Sequence, residues 1–206
     1  MVMVTLERPS RRIAPRPYLR VKAVLDFIGA LAVLLVLSPF MVLIALLIRL
    51  DSAGPALYRQ QRVGRNGRLF TIYKFRTMRI DAPVLSTEEM QRRGLKPFTR
   101  IGPFLRATSL DELPQLFNIL AGEMSFIGPR PALPSQVDVN TLREREGADQ
   151  VRPGITGFAQ VMGRDDLDTT TKVAYDAEYC DRMAFGFDCF ILLKTFSAVL
   201  SARGNK

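Results

Sequence analysis

Residues 23–48 read AVLDFIGALAVLLVLSPFMVLIALLI, a run of 26 residues whose only charge is that of Asp26. As a straight helix it rises about 39 Å, enough to span the ~30 Å hydrocarbon core of a bilayer. A secretory signal peptide has a shorter apolar run followed by a small-residue cleavage site, and neither feature is present. The stretch therefore predicts a helix that enters a membrane.

Two features favour a re-entrant helix, which enters and leaves the same face of the membrane. Ser38-Pro39 lies inside the run, and proline removes a backbone hydrogen bond and kinks a helix. We expect a break there, leaving arms of residues 23–37 and 40–48 that are each too short to cross alone. Both flanks are rich in arginine and lysine, so the positive-inside rule assigns both ends to the cytoplasm. A kinked single span is the alternative.

The composition excludes several kinds of chemistry. The chain has 206 residues, a net charge of +9 and no histidine. Without histidine there is no Ser-His-Asp or Cys-His machinery and no zinc site that needs imidazole. Cys180 and Cys189 form no CxxC pair and indicate a reducing compartment. Catalysis must use carboxylates, lysine, arginine, hydroxyls or a hard metal ion, and the positive charge favours an anionic partner.

The whole chain predicts an α+β fold in three parts: residues 1–22 as a basic arm, 23–48 as the membrane helix and 49–206 as a mainly helical catalytic domain at the cytoplasmic face. Segments 57–63 and 68–75 flank an Asn-Gly turn and predict a β-hairpin. A capping box at Ser86 predicts a short helix in a surface insert. Apolar spacing predicts further helices, the last of them interfacial, near residues 113–120, 170–184 and 187–201.

The stretch Arg106–Phe117, RATSLDELPQLF, places adjacent carboxylates, Asp111 and Glu112, at the start of an amphipathic helix. In one interpretation they only cap the helix, as a Ser109–Glu112 capping box or with Asp111 as the cap. In the other, the helix N-terminus gathers phosphate oxygens and the carboxylates hold Mg²⁺ through oxygen ligands.

Basic residues recur in rigid or turn-rich contexts. Arg130 lies between Pro129 and Pro131, which limit its backbone and so direct its guanidinium. Arginine is suited to bidentate contacts with phosphate. A solvated surface position explains any one of these residues, whereas together with the acidic pair they indicate a diphosphate site. The candidate phosphate-binding residues are Lys74, Arg76, Arg106, Arg130 and Arg152.

Several blocks run in a characteristic order over roughly residues 20 to 196. They are the apolar run with Ser38-Pro39, IYKFRTM (72–78), SLDELPQLFN (109–118), MSFIGPRP (124–131), VRPGITG (151–157) and Tyr175-Asp-x-x-Tyr179. In these blocks the chain resembles the small monotopic phosphoglycosyl transferases, the bacterial sugar transferases. The block over residues 109–131 is highly specific.

The resemblance implies a reaction. Such enzymes move a sugar-1-phosphate from a UDP-sugar to polyprenol phosphate (undecaprenyl phosphate in bacteria) and release UMP. This is the first membrane step in the assembly of glycoconjugates such as exopolysaccharide or lipopolysaccharide. The resemblance implies Asp111 as the nucleophile of an aspartyl-phosphosugar intermediate, Glu112 as its assistant, and Mg²⁺ beside Asp111.

The resemblance also implies where the protein works and with what. We expect a monotopic protein on the cytoplasmic face of the bacterial inner membrane. The expected partners are a UDP-sugar, polyprenol phosphate, anionic membrane lipid and downstream glycosyltransferases, and no nucleic acid.

Two other interpretations fit part of the sequence. A non-catalytic basic protein could use its charge of +9 on a membrane surface or a nucleic acid. The Asp111-Glu112 pair disfavours this, because acidic groups at the centre of a basic face weaken binding to a phosphate backbone. The second is a nucleotide-sugar transferase with a soluble acceptor, which the membrane segment disfavours.

Overall fold

The computed structural model describes residues 16–82, 92–94, 97–163 and 167–200. The predicted arm up to residue 15 and most of the predicted helix between Ser86 and Gly94 lie outside these ranges. The helices are α1 (Arg16–Asp51), α2 (Gly102–Ala107), α3 (Leu116–Leu120), α4 (Val137–Glu146), α5 (Phe158–Met162), α6 (Thr169–Arg182) and α7 (Phe185–Leu200). The strands are β1 (Leu57–Val63), β2 (Leu69–Phe75), β3 (Ser125–Ile127) and β4 (Gly154–Thr156). Together they form a mixed fold of helices and small sheets.

Helix α1 continues through Ser38-Pro39 with Pro39 inside it, so the two predicted arms belong to one helical element. Pro39 has no N–H to donate to the carbonyl oxygen of Leu35, four residues earlier. The hydroxyl of Ser38 donates a hydrogen bond to that oxygen over 3.1 Å and takes the place of the missing donor. The helix also extends beyond the predicted 23–48 at both ends, so residues 16–22 belong to it and not to an arm.

One stripe of α1 is buried against the rest of the chain. Side chains at intervals of mostly three or four residues are covered, from Lys22 and Asp26 to Ile44 and Ile48. The other faces of the helix expose large apolar side chains, including Leu35, Val36 and Leu50. The helix is long and apolar enough to cross a membrane. Its exposed faces suit hydrocarbon and its buried stripe suits protein, which fits membrane association.

The predicted β-hairpin is confirmed. Strands β1 and β2 pair antiparallel from Leu57 opposite Phe75 to Val63 opposite Leu69. Asn66 and Gly67 take positive φ angles of 55° and 73° in the connection, which is why this dipeptide marks the turn. The apolar side chains of β2 alternate onto a core that includes Leu116 of α3 and Ala30 of α1. The hairpin is therefore the layer against which α1 and α3 pack.

A second sheet consists of β3 and β4, which are parallel. Each strand has three residues, and glycines interrupt the apolar pattern around them. A Cβ added to Gly154 would lie 2.1 Å from the backbone nitrogen of Gly128, so glycine is needed where the two segments meet. This contact brings the loop after β3 and the start of β4 together.

Helices α6 and α7 correspond to the two predicted helices near residues 170–184 and 187–201. Large side chains of α7 are exposed, among them Phe185, Leu193 and Phe196. The carboxylate of Asp188, also on α7, is buried and faces the opposite way. It accepts hydrogen bonds from Tyr18 Oη (2.6 Å) and Lys22 Nζ (2.8 Å) of α1 and from Tyr179 Oη (2.9 Å) of α6. This polar cluster joins both apolar helices to the body.

Candidate active site

The acidic pair lies on a 3₁₀ segment, Leu110–Gln115, that leads into α3. Both capping interpretations are wrong. Ser109 has a positive φ of 57° and its side chain makes no capping hydrogen bond. Its backbone N–H already donates to the carbonyl of Arg106 (3.1 Å), so it is not available to Glu112. Asp111 lies inside the segment and not at its cap position. The two carboxylates are therefore directed elsewhere.

Glu112 is held by two cations from distant parts of the chain. Its Oε1 accepts a hydrogen bond from Lys74 Nζ of β2 at 2.7 Å and from Arg130 Nη2 at 3.0 Å. Burial acts to raise the pKa of Glu112, but the charges and hydrogen bonds of Arg130 and Lys74 outweigh it and lower the pKa to about 2. Glu112 is therefore ionised at any physiological pH and fixes the two cations beside Asp111.

Asp111 has the opposite environment. Burial and the negative charge of Glu112 raise its pKa to about 6, while Lys74, Arg106 and Arg130 act in the other direction. Within the described ranges, the carboxylate of Asp111 forms no hydrogen bond and no ion pair. Because no described neighbour donates a hydrogen bond to its lone pairs, this half-buried carboxylate is available to react. A carboxylate in this state beside three cations has the character of a reactive group.

A cleft of about 1590 Å³ opens over the acidic pair. Its lining is apolar in large part, and among its charged residues Lys74, Arg106 and Arg130 lie together with Asp111 and Glu112. The guanidinium of Arg106 lies 5.1 Å from the centre of the Phe98 ring, a cation–π distance that restricts its position. The cleft is large enough for a nucleotide-sized ligand and has the charge that a diphosphate requires.

Two of the five predicted phosphate-binding residues have other surroundings. Arg76 is buried and donates to the carbonyl oxygens of Ala53 (2.6 Å) and Ser52 (2.8 Å), where α1 ends. Arg76 borders the cleft, but its guanidinium is bound to the backbone just after α1. Arg152 does not line the cleft, and its guanidinium lies beside Gly122, after α3. The structure thus brings Lys74, Arg106 and Arg130 to the acidic pair, whereas Arg76 borders the cleft with its guanidinium bound to backbone carbonyls and Arg152 does not line it.

A buried ion pair at the edge of the cleft was not predicted from the sequence. Arg143 of α4 donates to Asp176 of α6 through both Nε (2.9 Å) and Nη2 (2.6 Å), across 33 positions of sequence. Its Nη1 donates to the backbone carbonyl of Arg130 at 2.8 Å. Asp176 belongs to the Tyr175-Asp-x-x-Tyr179 block, which was the available signal, but the block does not reveal its partner.

The donor set bears on the predicted Mg²⁺. Within the described part of the chain, no group of three or more Asp, Glu, His or Cys side chains is placed to hold a metal ion. Asp111 offers one unengaged carboxylate, whereas Glu112 is occupied by Lys74 and Arg130. Mg²⁺ is commonly held by one or two carboxylates together with substrate phosphates, so these residues fit an ion that arrives with a phosphorylated ligand.

Comparison with known proteins adds a family match. The family model described as bacterial sugar transferase matches residues 17–202 of this chain. The match covers the membrane helix, the hairpin, the acidic pair and both parallel strands.

Three relatives illustrate the range of similar proteins. An undecaprenyl-phosphate galactose phosphotransferase of Salmonella typhimurium is 37% identical over 98% of this chain and 45% of its own length. A UDP-glucose:undecaprenyl-phosphate glucose-1-phosphate transferase of Caulobacter vibrioides is 41% identical over 87% of this chain and 70% of its own. A UDP-N-acetylgalactosamine-undecaprenyl-phosphate N-acetylgalactosaminephosphotransferase of Aeromonas hydrophila is 37% identical over 93% and 47%.

This chain spans less than half the length of the Salmonella and Aeromonas relatives. The names of the three proteins contain three different sugars, while their acceptor is the same. The acceptor is therefore common to these three named relatives, whereas the sugar differs among them.

Proposed function

Because the chain belongs to the bacterial sugar transferase family, we propose that it transfers a sugar-1-phosphate from a UDP-sugar to undecaprenyl phosphate and releases UMP. The observation that carries this proposal is the arrangement of the acidic pair: Asp111 has no hydrogen-bond or ion-pair partner among the described residues, and Glu112 holds Lys74 and Arg130 beside it. The product, a polyprenyl-diphosphate sugar, is a starting point for glycoconjugate assembly, so downstream glycosyltransferases are proposed partners.

The reaction has two displacement steps at one phosphorus atom. In the first, a carboxylate oxygen of Asp111 attacks the phosphorus that carries the sugar, and the bond to the bridging oxygen breaks to release UMP. In the second, a phosphate oxygen of the polyprenol phosphate attacks the aspartyl-phosphosugar and the bond to Asp111 breaks. A carboxylate nucleophile suits a chain without histidine. Above its pKa a carboxylate is already ionised, so no general base has to remove a proton from it.

The cations of the cleft make this attack feasible. An anion approaching an anionic phosphate is repelled, and positive groups near the transferred phosphoryl group offset that repulsion. Lys74 and Arg130 are already oriented by Glu112, and Arg106 lines the same cleft. Mg²⁺ held by Asp111 and the substrate phosphates would neutralise further charge on the diphosphate.

The shape of the molecule supports a monotopic arrangement at the cytoplasmic face of the inner membrane, with both ends of α1 on the side of the catalytic body. Near the start of α1, Lys22 binds Asp188 of the body. At its end, Asp51 Oδ2 accepts a hydrogen bond from the backbone of Ile101 at 3.3 Å. The net charge of +9 would add attraction to anionic lipid.

Cysteine labelling tests this topology. After Cys180 and Cys189 are replaced by serine, single cysteines at the exposed positions Arg20 and Gln61 should react with a membrane-impermeant reagent from the same side of inverted vesicles. Labelling from opposite sides would show that α1 is a true span.

The covalent intermediate tests the function itself. Incubation with a UDP-sugar and Mg²⁺, without acceptor, should release UMP and add one phosphosugar to the protein, on Asp111. A panel of UDP-glucose, UDP-galactose and UDP-N-acetylgalactosamine covers the sugars named for the relatives. Asp111→Asn keeps the size of the side chain but removes the anion, so it should form no adduct. An active Asp111→Asn protein, or an adduct on another residue, would contradict the proposal.

A further inference from the structure

The loop that carries Arg130 is held through its backbone. Four successive carbonyl oxygens, those of residues 129–132, each accept a hydrogen bond from outside the loop. The donors are the backbone N–H of Gly154 to Pro129 (3.0 Å), Arg143 Nη1 to Arg130 (2.8 Å), Arg62 Nη1 to Pro131 (3.1 Å) and the backbone N–H of Val63 to Ala132 (2.9 Å). Pro129 and Pro131 have no backbone N–H, so at these two residues the backbone can form hydrogen bonds only through its carbonyl oxygens.

Two of these donors are guanidinium groups, and Arg143 is the more buried of them. Its side chain is 10% exposed, and each of its three side-chain nitrogens donates a hydrogen bond. Nε and Nη2 contact Asp176, whose side chain is 2% exposed. Although Arg143 borders the cleft, its Nε, Nη1 and Nη2 each donate a hydrogen bond to an acceptor within the protein. Its contact toward the reaction is therefore the backbone of Arg130 and not the substrate.

The contacts form a continuous chain from α6 to the acidic pair. Asp176 fixes Arg143, Arg143 fixes the carbonyl of Arg130, and the guanidinium of Arg130 reaches Glu112 at 3.0 Å. The Arg130 side chain is 48% exposed, so it has little packing of its own to hold it in place. The place from which its guanidinium reaches Glu112 is set by the backbone from which it projects.

We propose that Arg143 and Asp176 are positioning residues for phosphosugar transfer, which act on the substrate diphosphate through the backbone of Arg130. This inference rests on the proposed function and deepens it. Arginine is required at position 143 because its planar fork donates in two directions at once, to a carboxylate and to a carbonyl. Lysine, with a single nitrogen on a flexible stem, cannot make the same set of contacts.

The test compares Arg143→Lys and Asp176→Asn with the wild type and with Glu178→Gln as matched control. Glu178 lies on the same helix as Asp176, and its described ion pair is with Arg182, away from the loop. Two quantities are measured: kcat and KM for the UDP-sugar that the wild type uses, and the affinity for UDP by calorimetry. We expect Arg143→Lys and Asp176→Asn to lose at least about tenfold in kcat/KM and to bind UDP more weakly, because small misplacements of a binding group are costly. Glu178→Gln should match the wild type.

A double variant separates positioning from general loss of structure. If Arg143 acts through Arg130, then Arg143→Lys should weaken UDP binding in the wild-type background and change it by less than about twofold in an Arg130→Ala background. Equal weakening in both backgrounds, or wild-type kinetics in Arg143→Lys, would overturn the proposal. Arg62→Lys changes the other guanidinium that donates to this loop, from the hairpin, and leaves the Arg143–Asp176 pair in place. It therefore still tests the positioning of the loop if the Arg143→Lys protein folds poorly. Failure of the wild type to release UMP from any UDP-sugar would instead count against the proposed function.

Discussion

At the scale of single residues, the main finding is that two adjacent carboxylates have opposite environments. Glu112 accepts hydrogen bonds from Lys74 and Arg130, and its pKa falls to about 2. Asp111 accepts none from the described residues, and burial raises its pKa to about 6. Neighbouring titratable groups with separated pKa values commonly divide the work of an active site. Here Glu112 organises cations and Asp111 remains available to react.

This difference predicts that Asp111→Asn stabilises the metal-free protein. The folded-state pKa of Asp111, about 6, lies above its ordinary 3.8, so the wild type loses stability as the pH rises through this interval. Above pH ~6 the folded wild type carries a desolvated charge that asparagine lacks, whereas below pH ~4 the two proteins should be alike. Thermal unfolding in detergent with a chelator, at pH 8 and pH 4, measures this. A variant that is less stable than the wild type at pH 8 would contradict it.

A second prediction contrasts two arginines that the sequence treats alike. Arg130→Ala should lower kcat/KM by well over tenfold, because a charge-assisted contact to phosphate is worth about 1.5–3 kcal/mol. Arg130→Lys should recover only part of this loss. Arg152→Ala should change kcat/KM by less than about threefold, since Arg152 lies beside Gly122 and does not line the cleft. Steady-state UMP release by the three purified variants decides between them, and equal losses for Arg130→Ala and Arg152→Ala would be the contrary result.

Sequence reasoning found the acidic pair and three of its cationic neighbours because they lie in short, unusual contexts such as Pro-Arg-Pro. It did not reveal that the guanidinium of Arg76 donates to the carbonyl oxygens of Ser52 and Ala53, just after α1. It missed the partnership of Arg143 and Asp176 because a contact across 33 positions leaves no local pattern. Burial and pairing of charges depend on tertiary packing, which periodicity does not reveal.

At the scale of elements, α1 shows how a serine keeps a proline-containing helix continuous. The hydroxyl of Ser38 occupies the acceptor that Pro39 leaves unpaired. In a hydrocarbon environment an unpaired carbonyl is costly, so this contact matters more in a bilayer than in water. The prediction of a break rested on the missing N–H of Pro39 and did not consider the hydroxyl of its neighbour. The hairpin was predictable from its turn and alternation, whereas three-residue strands such as β3 and β4 carry too little pattern.

The helix prediction concerns Ser38→Ala. It leaves the carbonyl of Leu35 without a donor, at a cost of about 1–3 kcal/mol, or a decrease in Tm of several degrees. Replacing Pro39 as well, in Ser38→Ala/Pro39→Ala, restores a backbone N–H and should return Tm to the wild-type value or above. Differential scanning calorimetry in detergent gives the comparison. Equal Tm values for the wild type and Ser38→Ala would show that this carbonyl has another partner.

At the scale of the whole molecule, two apolar surfaces belong to one body. The exposed faces of α1 and α7 carry large aliphatic and aromatic side chains, while the cleft is lined by lysine and arginine. Asp188 links the two helices through Tyr18 and Lys22. A molecule with this distribution brings a lipid-soluble acceptor and a charged, water-soluble donor to the same protein, which is what the proposed reaction needs.

This arrangement predicts how the protein is released from membranes. If the charge of +9 alone held it to anionic lipid, high salt would screen the attraction and release the protein. Because apolar helix faces are exposed, we expect salt and alkaline washes to leave it in the pellet and detergent to extract it. Sedimentation of washed inner membranes with immunodetection measures this. Release by salt would favour a peripheral, electrostatic attachment.

The cluster around Lys22 also has a consequence for biosynthesis. On the ribosome, α1 is made long before residue 188 exists, so Lys22 and Asp26 enter the bilayer region without their final partner. They lie one helical turn apart, with 3.8 Å between Lys22 Nζ and Asp26 Oδ1, and can neutralise each other inside the nascent helix. When α7 is completed, Lys22 gains the shorter contact of 2.8 Å to Asp188. Synthesis of the first helix and formation of its contact with Asp188 are thus separate events, and a nascent chain arrested before position 188 would lack this contact while the hairpin and α3 could already pack against α1.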